Sequence, residues 1–376
     1  MIPYSRQSIG EDDVRAVSKV LHSAFLTQGP AVKKFEDSLA NYTRAHYCIA
    51  FSSGTAALHA AYAAAGIGKG DEVIMPALTF VATGNAALYL NARPVFADID
   101  EVSANMDVRD AEKKITKRTK AIVPVDYAGR PTDLAGFRAL AKRHRLVLIE
   151  DGAQSLGATY RGKPVGSQAD MTMFSFHPVK SITTGEGGAI VTNNKNYYEF
   201  LRMFRTHGLT RDAKKLKDRT KAAWHQEMQV LGNNYRITDI QAALGVSQMK
   251  KLDGFIAKRR AAAKRYFRLL ADVPGIKLPP RAELDNSAWH LFVVRVDARV
   301  RDRVFAAMRA KGIGVQVHYL PVYMHPYYQD LGYKKGLCPK TEEFSAGALS
   351  LPLFPTIAAK QQQFVVDTLR SILKRS

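Results

Sequence analysis

Short apolar runs alternate with helical patterns along the first half of the chain, and this alternation limits the possible folds most narrowly. The predicted strands are residues 47–51, 72–75, 95–97, 121–125 and 146–150. The predicted helices between them are residues 56–65, 80–90, 108–117 and 134–144. The strand runs are continuous, which is typical of strands buried on both faces. The pattern therefore predicts an α/β fold with a mostly parallel central sheet and helices on both faces.

The C-terminal third of the chain has a different pattern. A long helix is predicted over residues 239–270. Beyond it, the predicted strands are 291–296 and 315–318, and the predicted helices are 301–310 and 357–373. We therefore expect a large α/β domain over residues 1–245 and a smaller α+β domain over residues 246–376.

Polar residues stand where the predicted strands end. They are Ser53, Asp98, Asp126, Asp151 and Ser175. In open α/β sheets, ligands bind outside the carboxyl ends of the strands. We therefore expect these five residues to lie around a common ligand site.

The turn of sequence SSGT at residues 52–55 joins a predicted strand to an almost wholly apolar helix. A helix that begins in such a turn presents free N–H groups and the positive end of its dipole, which favours a bound phosphate. Ser and Thr are also ordinary helix N-caps, so a purely structural turn is the alternative.

One lysine, Lys180, lies in the turn-rich segment FSFHPVKSITTGEGGA, residues 174–189. The glycines of this segment allow the backbone to pass close to a bulky ligand. A lysine in such a place can form a Schiff base with a carbonyl compound if its pKa is lowered. The alternative is a solvated surface lysine.

Pyridoxal phosphate (PLP) requires four groups from a protein: a lysine, a carboxylate for the ring nitrogen, donors for the phosphate, and a wall for the ring. The candidates here are Lys180, Asp151, Gly54 and Thr55 with Ser175, and Phe80. Asp151 also fits a cap or an ion pair, and Phe80 also fits a core position. Because all the candidates converge on one sheet edge, the sequence predicts PLP as the cofactor.

The chain is strongly basic, with 55 Lys and Arg against 34 Asp and Glu and a net charge of +21. The basic residues are spread widely, with dense stretches at 113–120, 211–221 and 250–268. Three explanations are open: solvated helix faces, steering of a polyanionic small substrate such as a nucleotide diphosphate, and nucleic-acid binding. We find no zinc-finger spacing or RNP motif, and we rank nucleic acid last.

Cysteine content and hydropathy bear on the compartment. Cys48 and Cys338 are the only cysteines, so we predict neither a disulfide framework nor a metal site. No apolar run reaches the length of a membrane span, and the first residues do not resemble an export signal. We expect a cytoplasmic protein that does not bind membranes.

Ordered blocks of this sequence resemble the fold-type-I PLP enzymes, in particular the DegT/StrS family of sugar-nucleotide aminotransferases. The blocks are LTQGPAV, SSGTAAL, PALTFVATGNAAL, IEDGAQSLGA, FSFHPVKSITTGEGGA, NYRITDIQAALG and VQVHYLPVY, and they occur in this order from Leu26 to Tyr323. The resemblance implies a PLP-dependent transaminase with a fold-type-I large domain and a smaller C-terminal domain.

The resemblance also implies roles for individual residues. Lys180 would be the catalytic lysine. The implied cofactor-binding residues are Gly54, Thr55 and Ser175 at the phosphate, Phe80 on the ring face, Asp151 at the ring nitrogen, Gln154 at the ring hydroxyl, and Asn234 reaching the phosphate from a second subunit. The role of Asn234 implies a homodimer with shared active sites. The implied substrate-binding residues are Thr27, His318 and Tyr319, although a satisfied strand-end histidine is an equal alternative for His318.

The segments FSFHPVK, VDYAG and GVQVHY resemble one branch of the family, the UDP-4-amino-4,6-dideoxy-N-acetyl-β-L-altrosamine transaminases of pseudaminic acid biosynthesis. This branch implies transfer of an amino group from L-glutamate to the C4 keto group of a UDP-linked 6-deoxy-4-keto-N-acetyl sugar. The chain departs from the broad family at Asp126, where a histidine often stands, and from the branch at Gly185 and Leu320.

Two alternatives to this activity are open from the sequence. The first is amination of another keto-sugar nucleotide, at C3 or C4 and linked to UDP or dTDP. The second is a non-catalytic regulatory or nucleic-acid-binding protein, which the net charge of +21 suggests. A related dehydratase is disfavoured because those enzymes replace the lysine at position 180 with histidine.

Overall fold

The computed structural model describes residues 1–218, 224–281 and 284–374. Residues 219–221 of the basic stretch 211–221 thus lie outside the described residues. The strands are β1 Tyr47–Phe51, β2 Glu72–Pro76, β3 Arg93–Ala97, β4 Thr119–Ile122, β5 Val147–Asp151, β6 Thr159–Tyr160, β7 Lys163–Pro164, β8 Met171–Ser175, β9 Gly188–Thr192, β10 Leu209–Thr210, β11 Glu227–Met228, β12 Phe292–Arg295 and β13 Ala348–Leu351. The helices of the first part are α1 Glu11–Leu21, α2 Pro30–Thr43, α3 Gly54–Ala64, α4 Val81–Leu88, α5 Val108–Lys113, α6 Leu134–His144, α7 Lys195–Phe204 and α8 Asp239–Met249. The remaining helices are α9 Leu252–Leu269, α10 Ala298–Ala310, α11 Pro326–Asp330, α12 Pro339–Gly347 and α13 Ala359–Lys374.

Seven strands form the central sheet in the order β1-β9-β8-β5-β4-β2-β3. Every neighbouring pair is parallel except the two that involve β9, which runs antiparallel to both β1 and β8. Strands β1, β5 and β8 therefore end at the same edge. The predicted α/β class with a mostly parallel sheet is confirmed.

Helices cover both faces of this sheet. Adjacent residues of a strand point to opposite faces, so each strand packs against helices on both sides. In β1, Ile49 packs with residues of α3 and α4, such as Leu58, on one face. Ala50 packs on the other face with residues of α2 and α8, such as Phe35. Because both faces are buried, the strands require the continuous apolar runs that predicted them.

The C-terminal part contains a two-stranded antiparallel sheet, β12 with β13, packed with α9, α10 and α13 around its own core. The strand predicted at 315–318 is wrong, since only a single bridge pairs Gln316 with Ser350. The helix predicted over 239–270 is two helices, α8 and α9. Helix α8 packs against α1 and α2, whereas α9 packs against α13. Within the described residues, no helix is both long and apolar enough to cross a membrane.

Candidate active site

A cavity of about 440 Å³ lies at the sheet edge where β1, β5 and β8 end. Nine residues predicted for the site line it: Gly54, Thr55, Phe80, Asp151, Gln154, Ser175, Lys180, His318 and Tyr319. The structure therefore brings together one amine, one carboxyl group, a helix N-terminus and two aromatic rings. These groups come from the sheet edge and from the segment that follows α10.

Two predicted site residues, Thr27 and Asn234, do not line this cavity. Thr27 forms a backbone bridge with Thr238, and Asn234 forms one with Thr206. The role predicted for Asn234 requires a second subunit, so a single chain does not test it.

The expected convergence of all five strand-end residues is wrong for Asp98 and Asp126. Asp98 instead binds the start of α12, where its Oδ1 atom accepts hydrogen bonds from the backbone N–H and the hydroxyl of Thr341 at 2.8 and 2.7 Å. Asp126 is fully buried and accepts a hydrogen bond from the Thr132 N–H at 2.8 Å. Ser53, Asp151 and Ser175 do line the cavity.

Lys180 lies in the loop between β8 and β9. Its side chain is partly buried and lines the cavity. This burial lowers the pKa of Lys180 to about 8, and the opposing negative charge of Asp151 limits the shift. At neutral pH a fraction of this lysine is thus the free amine, which is the form that reacts with carbonyl compounds.

Asp151 is the last residue of β5, and it is buried. The Thr83 hydroxyl donates to its Oδ2 atom at 2.8 Å, and the Ala153 N–H donates to its Oδ1 atom at 3.2 Å. Burial raises the pKa of Asp151, while the Thr83 hydrogen bond, the Ala153 hydrogen bond and the charge of Lys180 lower it. A buried carboxyl group held in this way can pair with a cationic ring nitrogen in the cavity.

The N-terminus of α3 forms a cradle beside the cavity. Ser53 caps the helix, and its Oγ atom accepts a hydrogen bond from the Ala56 N–H at 3.1 Å. A Cβ atom added to Gly54 would lie 3.1 Å from Cβ and 3.2 Å from Oγ of Ser175. Glycine at position 54 therefore leaves the space next to Ser175 open for an anion at the helix N-terminus.

Gln154 connects two parts of the cavity wall. Its Oε1 atom accepts a hydrogen bond from the Ala128 N–H at 2.8 Å, and its Nε2 atom donates to the Tyr319 hydroxyl at 3.0 Å. The Tyr319 ring in turn faces Phe80, with 6.1 Å between ring centroids. Phe80 is the N-cap residue of α4 and is 57% exposed, so its ring is free to stack on a ligand.

His318 is buried in the wall of the cavity. Its Nδ1 atom lies 2.8 Å from the Ser350 hydroxyl. Burial, with the nearby charge of Lys180, lowers the pKa of His318 to about 4, so the ring is neutral at physiological pH. From the sequence, the alternative for His318 is a structural residue whose ring nitrogens are hydrogen-bonded within the protein. The contact with Ser350 provides such a partner for one of these nitrogens.

Sequence reasoning missed several residues of the site, among them Thr83, His290 and Tyr4. Thr83 binds Asp151, and the only signal for it is its position one helical turn after Thr79, whose hydroxyl lies 2.8 Å from that of Thr83. His290 lines the cavity and directly precedes the strand predicted at 291–296. Tyr4 also lines the cavity, and because it lies far from the other site residues in the chain, no local pattern indicates it.

Together, these groups fit PLP. An amine with a lowered pKa, a buried carboxyl group, an open helix N-terminus and an exposed aromatic ring all line one cavity that is large enough for the cofactor. The candidate groups for all four requirements therefore lie around one cavity.

Comparison with known proteins determines the family. The profile of the DegT/DnrJ/EryC1/StrS aminotransferase family matches residues 7–370. The chain belongs to this family. It is a PLP-dependent sugar aminotransferase of fold type I.

Three relatives illustrate the similarity. The spore coat polysaccharide biosynthesis protein SpsC of Bacillus subtilis is 37% identical over 99% of this chain and 97% of its own. Helicobacter pylori PseC, an aminotransferase involved in the biosynthesis of pseudoaminic acid, is 33% identical, with a TM-score of 0.93 and complete coverage of both chains. The PLP form of the putative sugar aminotransferase Spr1654 from Streptococcus pneumoniae is 29% identical, with a TM-score of 0.92 over 100% of this chain and 99% of its own.

Proposed function

We propose that this sugar aminotransferase moves the amino group of L-glutamate to the C4 keto group of a UDP-linked 6-deoxy-4-keto-N-acetyl sugar, a precursor of pseudaminic acid. The similarity to PseC over the complete length of both chains supports this substrate. The segments FSFHPVK, VDYAG and GVQVHY support the same branch of the family.

Lys180 is the proposed catalytic residue, and the observation that carries the proposal is its partly buried side chain in the same cavity as Asp151. When bound, PLP supplies the electron sink that makes the α-proton of the amino donor acidic. Lys180 then holds and moves that proton as a general base, because its pKa lies close to the working pH. Asp151 holds the ring nitrogen in its protonated form.

The remaining proposed contacts hold the two ligands. Gly54, Thr55 and Ser175 bind the cofactor phosphate at the N-terminus of α3. Phe80 covers one face of the ring, and Gln154 binds the ring hydroxyl. His318 and Tyr319 face the sugar nucleotide, together with Thr27.

We also propose a homodimer in which Asn234 of each chain reaches the phosphate of the other. The position of Asn234 outside its own cavity is consistent with this arrangement. Large apolar side chains outside the cavity also remain exposed on the single chain, with Leu231 84% and Tyr89 55% exposed. Burying such residues in an interface is favourable. The proposed compartment is the cytoplasm.

The test uses the purified holoenzyme with L-glutamate and a panel of 4-keto and 3-keto sugars linked to UDP or dTDP. We expect the highest kcat/KM for the UDP-linked 4-keto-6-deoxy-N-acetyl sugar. A dTDP sugar or a 3-keto sugar as the best substrate would refute the proposed substrate but leave the reaction class intact. Lys180→Ala should lose turnover and the visible cofactor absorbance, whereas the exposed Lys69→Ala should keep both.

A further inference from the structure

Two carboxyl groups, Asp126 and Glu150, are completely buried next to Asp151 and are not explained by the proposed reaction. Glu150 precedes Asp151 in β5, and the N–H of Asp126 donates to the backbone oxygen of Asp151 at 3.1 Å. Glu150 is therefore joined directly to Asp151, the proposed partner of the cofactor nitrogen, and Asp126 is hydrogen-bonded to the backbone of Asp151. Neither of them lines the cavity.

One oxygen of each carboxyl group has a normal donor. Oδ1 of Asp126 accepts a hydrogen bond from the Thr132 N–H at 2.8 Å. Oε2 of Glu150 accepts one from the hydroxyl of Thr172 on the neighbouring strand β8, also at 2.8 Å. These contacts leave the second oxygen of each group to be explained.

The second oxygens, Oδ2 of Asp126 and Oε1 of Glu150, are buried and accept no hydrogen bond of normal geometry among the described residues. The Ser155 hydroxyl lies near Asp126 but donates to the backbone oxygen of Gly152 at 3.3 Å. The two side chains instead contact each other. Within residues 1–218, 224–281 and 284–374, neither group forms an ion pair with a lysine or arginine. Two ionised carboxylates cannot face each other in this way without a donor, because each offers only acceptor oxygens.

We propose that Asp126 and Glu150 share a single proton and form a buried acid–carboxylate pair with one negative charge. The proton on one oxygen donates to the other, which satisfies both orphan atoms with one short, charge-assisted hydrogen bond. An aspartate can donate only when it is protonated.

Among the described residues, the groups that act most strongly on the pair are neutral or negative. Ser155 and the donors Thr132 and Thr172 carry no charge, and Asp151 is acidic. Burial, reinforced by this like charge, raises the pKa of Asp126 to about 7 and raises the pKa of Glu150 in the same direction. These directions agree with a proton that stays on the pair at neutral pH.

The negative charge of the pair acts on Asp151 and makes it a stronger partner for a cationic ring nitrogen. Asp126 and Glu150 are thus positioning residues that do not touch the ligand. This consequence rests on the proposed role of Asp151, whereas the shared proton does not depend on it.

The direct test is infrared spectroscopy of the apoprotein at neutral pH. We expect wild type to show the carbonyl band of a buried protonated carboxyl group, and Asp126→Asn and Glu150→Gln each to lose it. The band should persist in the control Asp151→Asn. No band in wild type would mean that both groups are ionised, and a band that persists in both single variants would mean that both are protonated, so either result overturns the proposal. Selective ¹³C labelling of aspartate and glutamate in wild type gives the same answer if a variant fails to fold.

A second measurement separates the positioning role from a purely structural one. Each single variant keeps one negative charge at the site. The double variant, which combines Asp126→Asn with Glu150→Gln, removes this charge. We therefore expect cofactor affinity close to wild type in the single variants and about tenfold weaker in the double variant, the factor that corresponds to one pKa unit. Equal affinity in all four proteins would overturn the positioning role. The infrared band is measured without the cofactor. Its absence in wild type would therefore not contradict the proposed transamination.

Discussion

The side-chain amide of Gln154 donates a hydrogen bond to the hydroxyl of Tyr319, with 3.0 Å between nitrogen and oxygen. The same amide accepts a hydrogen bond from the N–H of Ala128 through its Oε1 atom. Gln154 is therefore fixed from both sides, and its orientation depends on a residue 165 positions later in the chain. Because both residues line the cavity, the hydroxyl of Tyr319 holds the amide where the cofactor would meet it.

Tyr319→Phe removes this hydroxyl and leaves the ring that faces Phe80. The loss of one hydrogen bond of this kind costs about 1 kcal/mol, so we expect roughly fivefold weaker PLP binding. Titration of the apoprotein with PLP, followed by absorbance, measures the effect. Tyr4→Phe removes a hydroxyl from the same cavity but keeps the Gln154 contact, and it should bind PLP nearly as wild type does. Equal affinities for Tyr319→Phe and wild type would contradict the role of Gln154.

Thr83→Val removes the donor to Oδ2 of Asp151. A hydrogen bond to a charged group is worth about 1.5–3 kcal/mol, so PLP binding should weaken at least about tenfold. The pKa of Asp151 should also rise, because Thr83 is the largest of the groups that lower it. Thr79→Val is the matched control, since the Thr79 hydroxyl contacts Thr83 and not the carboxyl group. If both variants bind PLP equally, the Thr83 contact does not hold Asp151 in its ionised form.

The central sheet could be predicted from the sequence because each strand buries both faces and must be apolar along its length. The prediction of β1 over 47–51 matches the structure to the residue. The C-terminal sheet was harder to predict, since β13 spans only four residues and follows α12 directly. The break between α8 and α9 has no Gly or Pro to indicate it, and the two helices pack on different partners. The domain division at residue 245 stays a prediction.

The candidate site could be predicted where one rule applied, namely that ligands bind at the carboxyl ends of parallel strands. That rule found Asp151 and Ser175 but also selected Asp98, whose carboxyl group is used by Thr341 instead. Local sequence does not indicate which strand-end residue faces a cavity and which binds a distant segment. The same limit explains why Tyr4 was missed, because it reaches the cavity only through the tertiary fold.

Gly54→Ala tests the anion cradle. The added Cβ atom would lie 3.1 Å from Cβ of Ser175, so the methyl group would fill the space next to the helix N-terminus. We expect a folded protein with at least about tenfold weaker binding of PLP, and a smaller loss for pyridoxal, which has no phosphate. Gly68→Ala is the control, because no atom lies within 4 Å of its added Cβ. Equal losses for PLP and pyridoxal would indicate a general distortion and contradict a phosphate site.

The lowered pKa of Lys180 predicts how the stability of the apoprotein depends on pH. In the folded state the pKa is about 8, compared with 10.5 for an exposed lysine. Below about pH 8 the lysine is protonated in both states, and the folded state bears the full cost of burying its charge. Between these two values the unfolded chain binds more protons than the folded protein, so the unfolding free energy rises with pH.

Lys180→Met removes the buried charge, and we expect it to stabilise the apoprotein by about 2 kcal/mol at pH 7, after allowance for water in the cavity. The gain should shrink as the pH rises towards 10.5, whereas the exposed Lys69→Met should differ little from wild type at any pH. Urea unfolding of the three apoproteins across this range measures the difference, and a constant gap between Lys180→Met and wild type would mean that the amine of Lys180 is not buried in its charged form.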